Sequence, residues 1–471
     1  MHLLDLSIFI LYLLGMLGVG VFFMRRNTSA DDYFVGGRKM NSLHIGLSVV
    51  ATDVGGGFSI GLGGLGFVMG LSGSWLLFTG LIGAWIAGIF LIPRVFSLGK
   101  RKGFLTFPQL LSHIFNPRVA MVAGIISAIS YLGFTSSQLL AGAKLASSTF
   151  GGLSLNQALL LMGIIAVLYT SLGGMKAVIY TDTIQWIILL SGLTFIAIPF
   201  ALRSVGGWNH VCSSLGEEFL KLNNVSWQQL INWGFTIIPI WFVGMTLYQR
   251  IYASRDEKSA RRAWFIAGLF EYPVMAFLGV LLGMFSRVAV EQGVITQYTL
   301  ETIDPELGLP LLLKTVLPVG LLGIVMAVYF SAIMSTADSC LMASSGNILT
   351  DVLGKHQTRR SLRYSQILTL IIGALALFLA MKMENVLELM LLSYAFMVSG
   401  LLVPVLAGLF TKKPNSLAAL LAMLGGGLTT SILVWLKPPL PLGLDANIFG
   451  ITVSLVVYIV TAWLSEYRSK G

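Results

Sequence analysis

The 471-residue chain is 56% hydrophobic and only 11% charged. A soluble globule carries about a quarter charged residues, so these charges cannot cover one, and the surrounding solvent is lipid. The net charge of +10 sits in short segments between apolar stretches, which argues against a nucleic-acid footprint, and Cys212 and Cys340 show neither metal spacing nor a disulfide pattern.

A membrane-crossing helix needs about 20 apolar residues. Thirteen such stretches follow one another at 3–24, 42–70, 74–97, 117–146, 155–172, 177–203, 227–251, 262–287, 311–350, 364–382, 386–410, 416–436 and 447–465. We number them span 0 to span 12. Span 0 lacks the small-residue cleavage site of a signal peptide and reads as a true span. The fold class expected is an all-α polytopic membrane protein.

Span 1 contains ATDVGGGFSIGLGG, residues 51–64. Each glycine inside a helix costs about 1 kcal/mol relative to alanine, so three in a row predict a break. Span 6 contains NWGFTIIPIWFVGM, residues 232–245, with Gly234, Pro239 and Gly244. Proline removes a backbone donor and clashes with the preceding turn. The two interrupted spans are five apart, as the opening helices of a five-plus-five inverted repeat would be. Interruptions at matching positions of two halves point to a transporter's binding site.

Span 8 carries SAIMSTADSCLMASSG, residues 331–346. Ser331, Ser335, Asp338, Ser339 and Ser345 recur at helical spacing on one stripe, with Thr336 at its border. Hydroxyl and carboxylate oxygens are ligands for hard cations. The lack of a nearby His or Cys pair argues against a transition metal. So few formal charges suit a monovalent ion, with carbonyls from the span 1 break completing the shell. Two more carboxylates, Asp53 before the break and Asp182 early in span 5, are costly in a membrane and mark function.

Basic residues gather in alternate connections, including Arg25, Arg26, Lys100, Arg101, Lys102, Arg250, Arg255, Lys258, Arg261, Arg262, Arg359, Arg360, Lys412 and Lys413. The opposite connections hold Glu217, Glu218, Glu291, Glu301, Asp304 and Glu306. The positive-inside rule then predicts a multi-pass cell-membrane protein with its N-terminus outside and its C-terminus cytoplasmic.

Four segments resemble the sodium:solute symporters: ADDYFVGGR (30–38), SLGGMKAVIYTDTIQ (171–185), YQRIYASRDEKSARRA (248–263) and MSTADSCLMASS (334–345). The likeness runs from about residue 3 to residue 410. It implies a LeuT-like 5+5 inverted repeat of 13 transmembrane helices with an extra N-terminal helix, and sodium-driven uptake. The chain then divides into 1–41 (extra span and loop), 42–203 and 204–410 (the two repeats), and 411–471 (two last spans and tail). Segment 248–263 is expected to be the loop between spans 6 and 7.

The resemblance implies a main sodium site of Ala51, Val54 and Ala332 carbonyls with Ser335 and Thr336 hydroxyls. A second cation site, present in some members, maps onto Asp182, Ser335 and Ser339. Asp338 stands there in place of a hydroxyl, either strengthening the site or carrying a proton. Candidate solute-lining residues are Asp53, Gly55, Gly56, Gly57, Gln138, Trp241, Phe242, Tyr394 and Phe396. The span 8 and VGGG motifs look like the choline-transporting branch, while Asp53 matches proline-transporting members. Proline-like amino acids, choline and pantothenate-like acids stay open. The expected partners are the solute, sodium and lipid; a monomer suffices. A solute sensor is the alternative role, but it calls for a signalling domain beyond WLSEYRSKG. The five histidines form no catalytic or metal constellation with the carboxylates, so no enzyme is expected.

Overall fold

The computed structural model describes residues 2–24, 35–150, 152–354 and 359–470. Among these, every named element is helical. The elements that build the site are α1 (Leu3–Met24), α2 (Ser42–Asp53), α3 (Gly55–Met69), α4 (Trp75–Phe90), α5 (Pro117–Thr149) and α6 (Leu155–Gly192). They continue as α7 (Trp227–Val243), α8 (Met245–Ala253), α9 (Glu257–Leu269), α10 (Ala276–Glu291), α11 (Pro305–Val316) and α12 (Leu321–Asn347). The chain closes with α13 (Arg359–Ala380), α14 (Val386–Phe410), α15 (Ser416–Leu436) and α16 (Ala446–Lys470). Nine described helices are long and apolar enough to cross a membrane, or up to ten if a bent pair counts as one span. Leu3–Gly15 and Leu155–Leu168 are shorter apolar helices.

Burial sorts these helices into centre and rim. The apolar window of α12 is 89% buried, whereas that of α16 is only 17% buried. A helix enclosed on all faces can carry polar atoms only if neighbouring helices satisfy them. That condition makes the serine-rich stripe of α12 the natural place for a site. Helices α5 and α6 pack along α12, and α3 touches it across the break.

Both expected interruptions are present. Helix α2 starts at Asn41, whose side chain accepts from the His44 backbone N–H at 3.0 Å. It ends at Val54, and Gly55 restarts the chain at φ +44. Span 6 breaks at Gly244 (φ −68, ψ 114), where α7 and α8 meet at a 42° bend. The break is therefore not at Pro239, which α7 runs through.

Three further expectations need correction. Span 8 begins at Leu321, because Pro318 and Gly320 (φ +89) separate it from α11. Most of segment 248–263 is helical, in α8 and α9, leaving only a short turn. The span 4–5 boundary lies inside one helical run, α6. Its contacts still show the chain reversing there. Met162 shares a cleft with Met326 and Phe330, and Thr170 bonds Asp338, so this half descends alongside α12. Asp182 bonds Ser335, and Leu189 and Leu193 lie beside Val325 and Val328, so the other half ascends.

Candidate functional site

The break in span 1 lies against the middle of α12. Thr336 Oγ1 sits 2.8 Å from the Ala51 carbonyl and 3.2 Å from the Ala332 carbonyl. Nothing larger than glycine fits at position 55, since a Cβ there would overlap Thr336 Oγ1. The Gly55 carbonyl, in the first turn of α3, accepts the Ser59 hydroxyl at 2.7 Å. Ala51, Val54, Ala332 and Thr336 are all buried around this point. Four of the five residues expected to hold sodium are thus gathered at one break. Ser335, the fifth, donates to Asp182 Oδ1 at 2.5 Å. Neutral oxygens in this arrangement fit a monovalent hard cation.

Around Asp182 the sequence reading needs revision. Arg250, expected in a cytoplasmic loop, is wholly buried on α8. Its Nη2 lies 3.3 Å from Asp182 Oδ2 and 3.0 Å from Ser339 Oγ, and also donates to Thr52 Oγ1. Its Nε donates to Ser48 Oγ at 3.1 Å and its Nη1 to the Thr246 carbonyl at 3.1 Å. Ser48 in turn donates to Asp182 Oδ2 at 2.5 Å. The guanidinium therefore occupies the place assigned to a second cation between Asp182 and Ser339. It joins spans 1, 5, 6 and 8 through one charge.

Asp338 is not part of this cluster. It accepts a hydrogen bond from Thr170, on the span 4 half of α6. The resemblance had placed it with Asp182 in a second cation site. At 100° per residue, Ser339 returns to the face of Ser335, and Asp338 falls about 60° to its other side.

A second polar centre lies on the other side of the break. Tyr394 on α14 donates to Asp53 Oδ1 at 3.2 Å and stacks on Phe134, with ring centroids 4.9 Å apart. Gln138 is fully buried on α5. Glu271, absent from the sequence reading, is wholly buried on span 7 with its carboxyl facing that of Asp53. Its signal was a lone carboxylate within an apolar stretch, which membrane energetics mark as functional. Trp241 faces Gly83 of α4 and Trp264 of α9. Phe242 is buried, and its carbonyl accepts the Tyr248 hydroxyl at 2.7 Å. Phe396 turns outward against Gly427 of α15. The backbones of Gly56 and Gly57 open α3, and their surroundings lie outside the described residues.

A helix broken beside a polar, buried partner helix is the arrangement in which secondary transporters place their binding sites. A solved Na+-coupled sialic acid symporter, in a substrate-bound outward-open state, has this fold with a TM-score of 0.81 at 20% identity, covering 98% of each chain. A nucleobase-cation-symport-1 family transporter in a closed conformation matches at TM-score 0.62 and 14% identity, over 94% of this chain and 96% of that one. The sodium:solute symporter family model matches residues 33–426, and the chain belongs to that family. Sodium is its coupling ion. The sodium/pantothenate symporter of Escherichia coli (strain K12) is 27% identical over 474 residues, covering 95% of this chain and 94% of the relative. The high-affinity proline transporter of Bacillus subtilis (strain 168) is 27% identical over 478 residues, covering 97% of each.

Proposed function

We propose that this chain imports a small organic solute by sodium-coupled symport, with alternating access around the broken spans 1 and 6. The observation that carries the reading is the Thr336 hydroxyl, set 2.8 Å from the Ala51 carbonyl at the break. In the proposed main site, sodium takes the Ala51, Val54 and Ala332 carbonyls with the Thr336 and Ser335 hydroxyls. Ser335 also bonds Asp182, so ion binding and the Arg250 cluster share one side chain. Arg250 supplies a fixed positive charge to Asp182 and Ser339, which favours one transported sodium per cycle. The solute lies beside Asp53, Gly55, Gln138 and Tyr394, and relatives that handle proline and pantothenate bound its size. An inward sodium gradient across proteoliposomes containing the purified protein should drive solute uptake. Uptake indifferent to that gradient, or to its collapse by a sodium ionophore, would reject symport.

The same proposal includes thirteen spans, the last two following two five-helix repeats, with the N-terminus outside and the C-terminus cytoplasmic. Basic-residue placement supports this orientation. In a Cys212→Ser background, a cysteine replacing exposed Asn223 should react with an impermeant thiol reagent added outside intact cells. One replacing Lys412 should react only after the inner face is opened. The reverse labelling would invert the topology.

A further inference from the structure

Glu271 sits in the π-turn Phe270–Met275, between α9 and α10. It is wholly buried, and its carboxyl faces that of Asp53. Neither Glu271 oxygen receives a hydrogen bond from a described residue. Asp53 receives one, from Tyr394 at 3.2 Å. The fold makes deliberate room for this carboxyl: a Cβ on Gly80 of α4 would overlap Glu271 Oε2. Arg250 cannot serve the pair, because its donors are directed to Ser48, Thr52, Thr246, Asp182 and Ser339.

Carboxylates accept hydrogen bonds and donate none when ionised. Two of them facing each other away from water repel, and a positive charge between them relieves that repulsion. Buried charges are found paired or coordinated for this reason. We infer that Asp53 and Glu271 together receive a positively charged nitrogen on the transported solute. The inference rests on the symport reading and narrows its substrate to solutes bearing such a nitrogen. Charge-assisted contacts to two carboxylates from different spans give both strength and orientation. Span 1 holds one carboxylate beside the sodium site and span 7 holds the other, so the solute nitrogen links the ion site to the facing helices. Amino acids and amines, whose N–H groups donate to the open carboxylate oxygens, satisfy this receptor; a quaternary ammonium brings the charge without a donor. A pantothenate-like acid, whose charge is a carboxylate, would face two like charges and is disfavoured.

The test is a panel of probes in sodium-loaded gradients across proteoliposomes: the proteinogenic amino acids, putrescine and choline, against pantothenate and lactate. Sodium binding to the same preparations is followed separately by tryptophan fluorescence. The expected result is sodium-dependent uptake of at least one cationic-nitrogen probe and of neither plain acid. Glu271→Gln should raise the KM for that probe at least tenfold and leave half-saturation by sodium unchanged. Sodium-driven uptake of pantothenate or lactate by the wild-type protein would overturn the inference without any variant. So would an unchanged KM in Glu271→Gln, or a shift in sodium activation alone, which would put a metal ion between the carboxyls. A protein that binds sodium but takes up no cationic probe overturns this inference alone. A protein that binds no sodium overturns the symport reading beneath it.

Discussion

Arg250→Ala is expected to destabilise the protein by about 3–5 kcal/mol, the range for removing one partner of a buried ion pair. Both side chains of the Arg250–Asp182 pair are 0% exposed. Removing the guanidinium strands the Asp182 carboxylate and leaves the Ser339 and Thr52 hydroxyls without their charged donor. The loss is read as a lower midpoint of thermal unfolding in detergent. Asp182→Asn combined with Arg250→Met removes both charges and should recover most of it, because the cost comes from an unpaired charge and not from the missing pair itself. Arg250→Lys should rescue poorly, since one ammonium cannot serve the Ser48, Thr246, Ser339 and Asp182 directions that the planar fork serves together. If the two single losses simply add in the double variant, the coupling of spans 5 and 6 through this pair is wrong.

Gly55→Ala should nearly abolish sodium-dependent uptake. Position 55 has φ +44, a left-handed conformation costing a residue with a Cβ about 1–3 kcal/mol. The new Cβ would also overlap Thr336 Oγ1 and come within 3.1 Å of Thr336 Cγ2. Neither neighbour can yield cheaply: the backbone is fixed by the break, and Thr336 is wholly buried on α12. The hydroxyl must turn away from the Ala51 carbonyl, which dismantles the proposed ion shell. Sodium activation should shift at least tenfold while the protein still inserts and remains monodisperse. Alanine at Gly61, farther along α3 at an ordinary helical φ, would come no closer than 3.1 Å to its nearest neighbour, Leu387 Cβ, and should be far milder. Equal effects at the two positions would deny Gly55 a special role.

Much of this architecture was readable before any coordinates. Three consecutive glycines announced the span 1 break because their helix cost is local. The α12 stripe predicted polar atoms aimed at neighbouring spans, and helical phase carries Ser335 to Asp182 and Thr336 to the Ala51 carbonyl. Asp338 escaped the same logic: a stripe drawn through i, i+4 and i+7 is wide enough to bridge two neighbours, and only packing showed that Thr170 faces it. Arg250 escaped for another reason. The run YQRIYASRDEKSARRA is dense in charge and reads as loop, and the partners that justify burying Arg250 lie far away in sequence, at Ser48, Asp182 and Ser339. Glu271 was legible by the rule that an intramembrane carboxylate is functional, but its partner Asp53 lies on another span. The Pro318–Gly320 boundary of α12 shows the remaining weakness: an apolar run does not record where one helix ends and the next begins.

The central claim is that sodium binds where α12 crosses the broken span 1. Equilibrium binding of radioactive sodium to the purified protein and to its Thr336→Val variant tests it directly. Valine keeps the shape of threonine and removes only the oxygen set 2.8 Å from the Ala51 carbonyl. A hydrogen-bonding or ligating oxygen facing a charge is worth about 1.5–3 kcal/mol, so the variant should bind sodium at least tenfold more weakly while its thermal stability changes little. Sodium affinity equal to that of the unaltered protein, in a variant shown to be folded, would contradict the account.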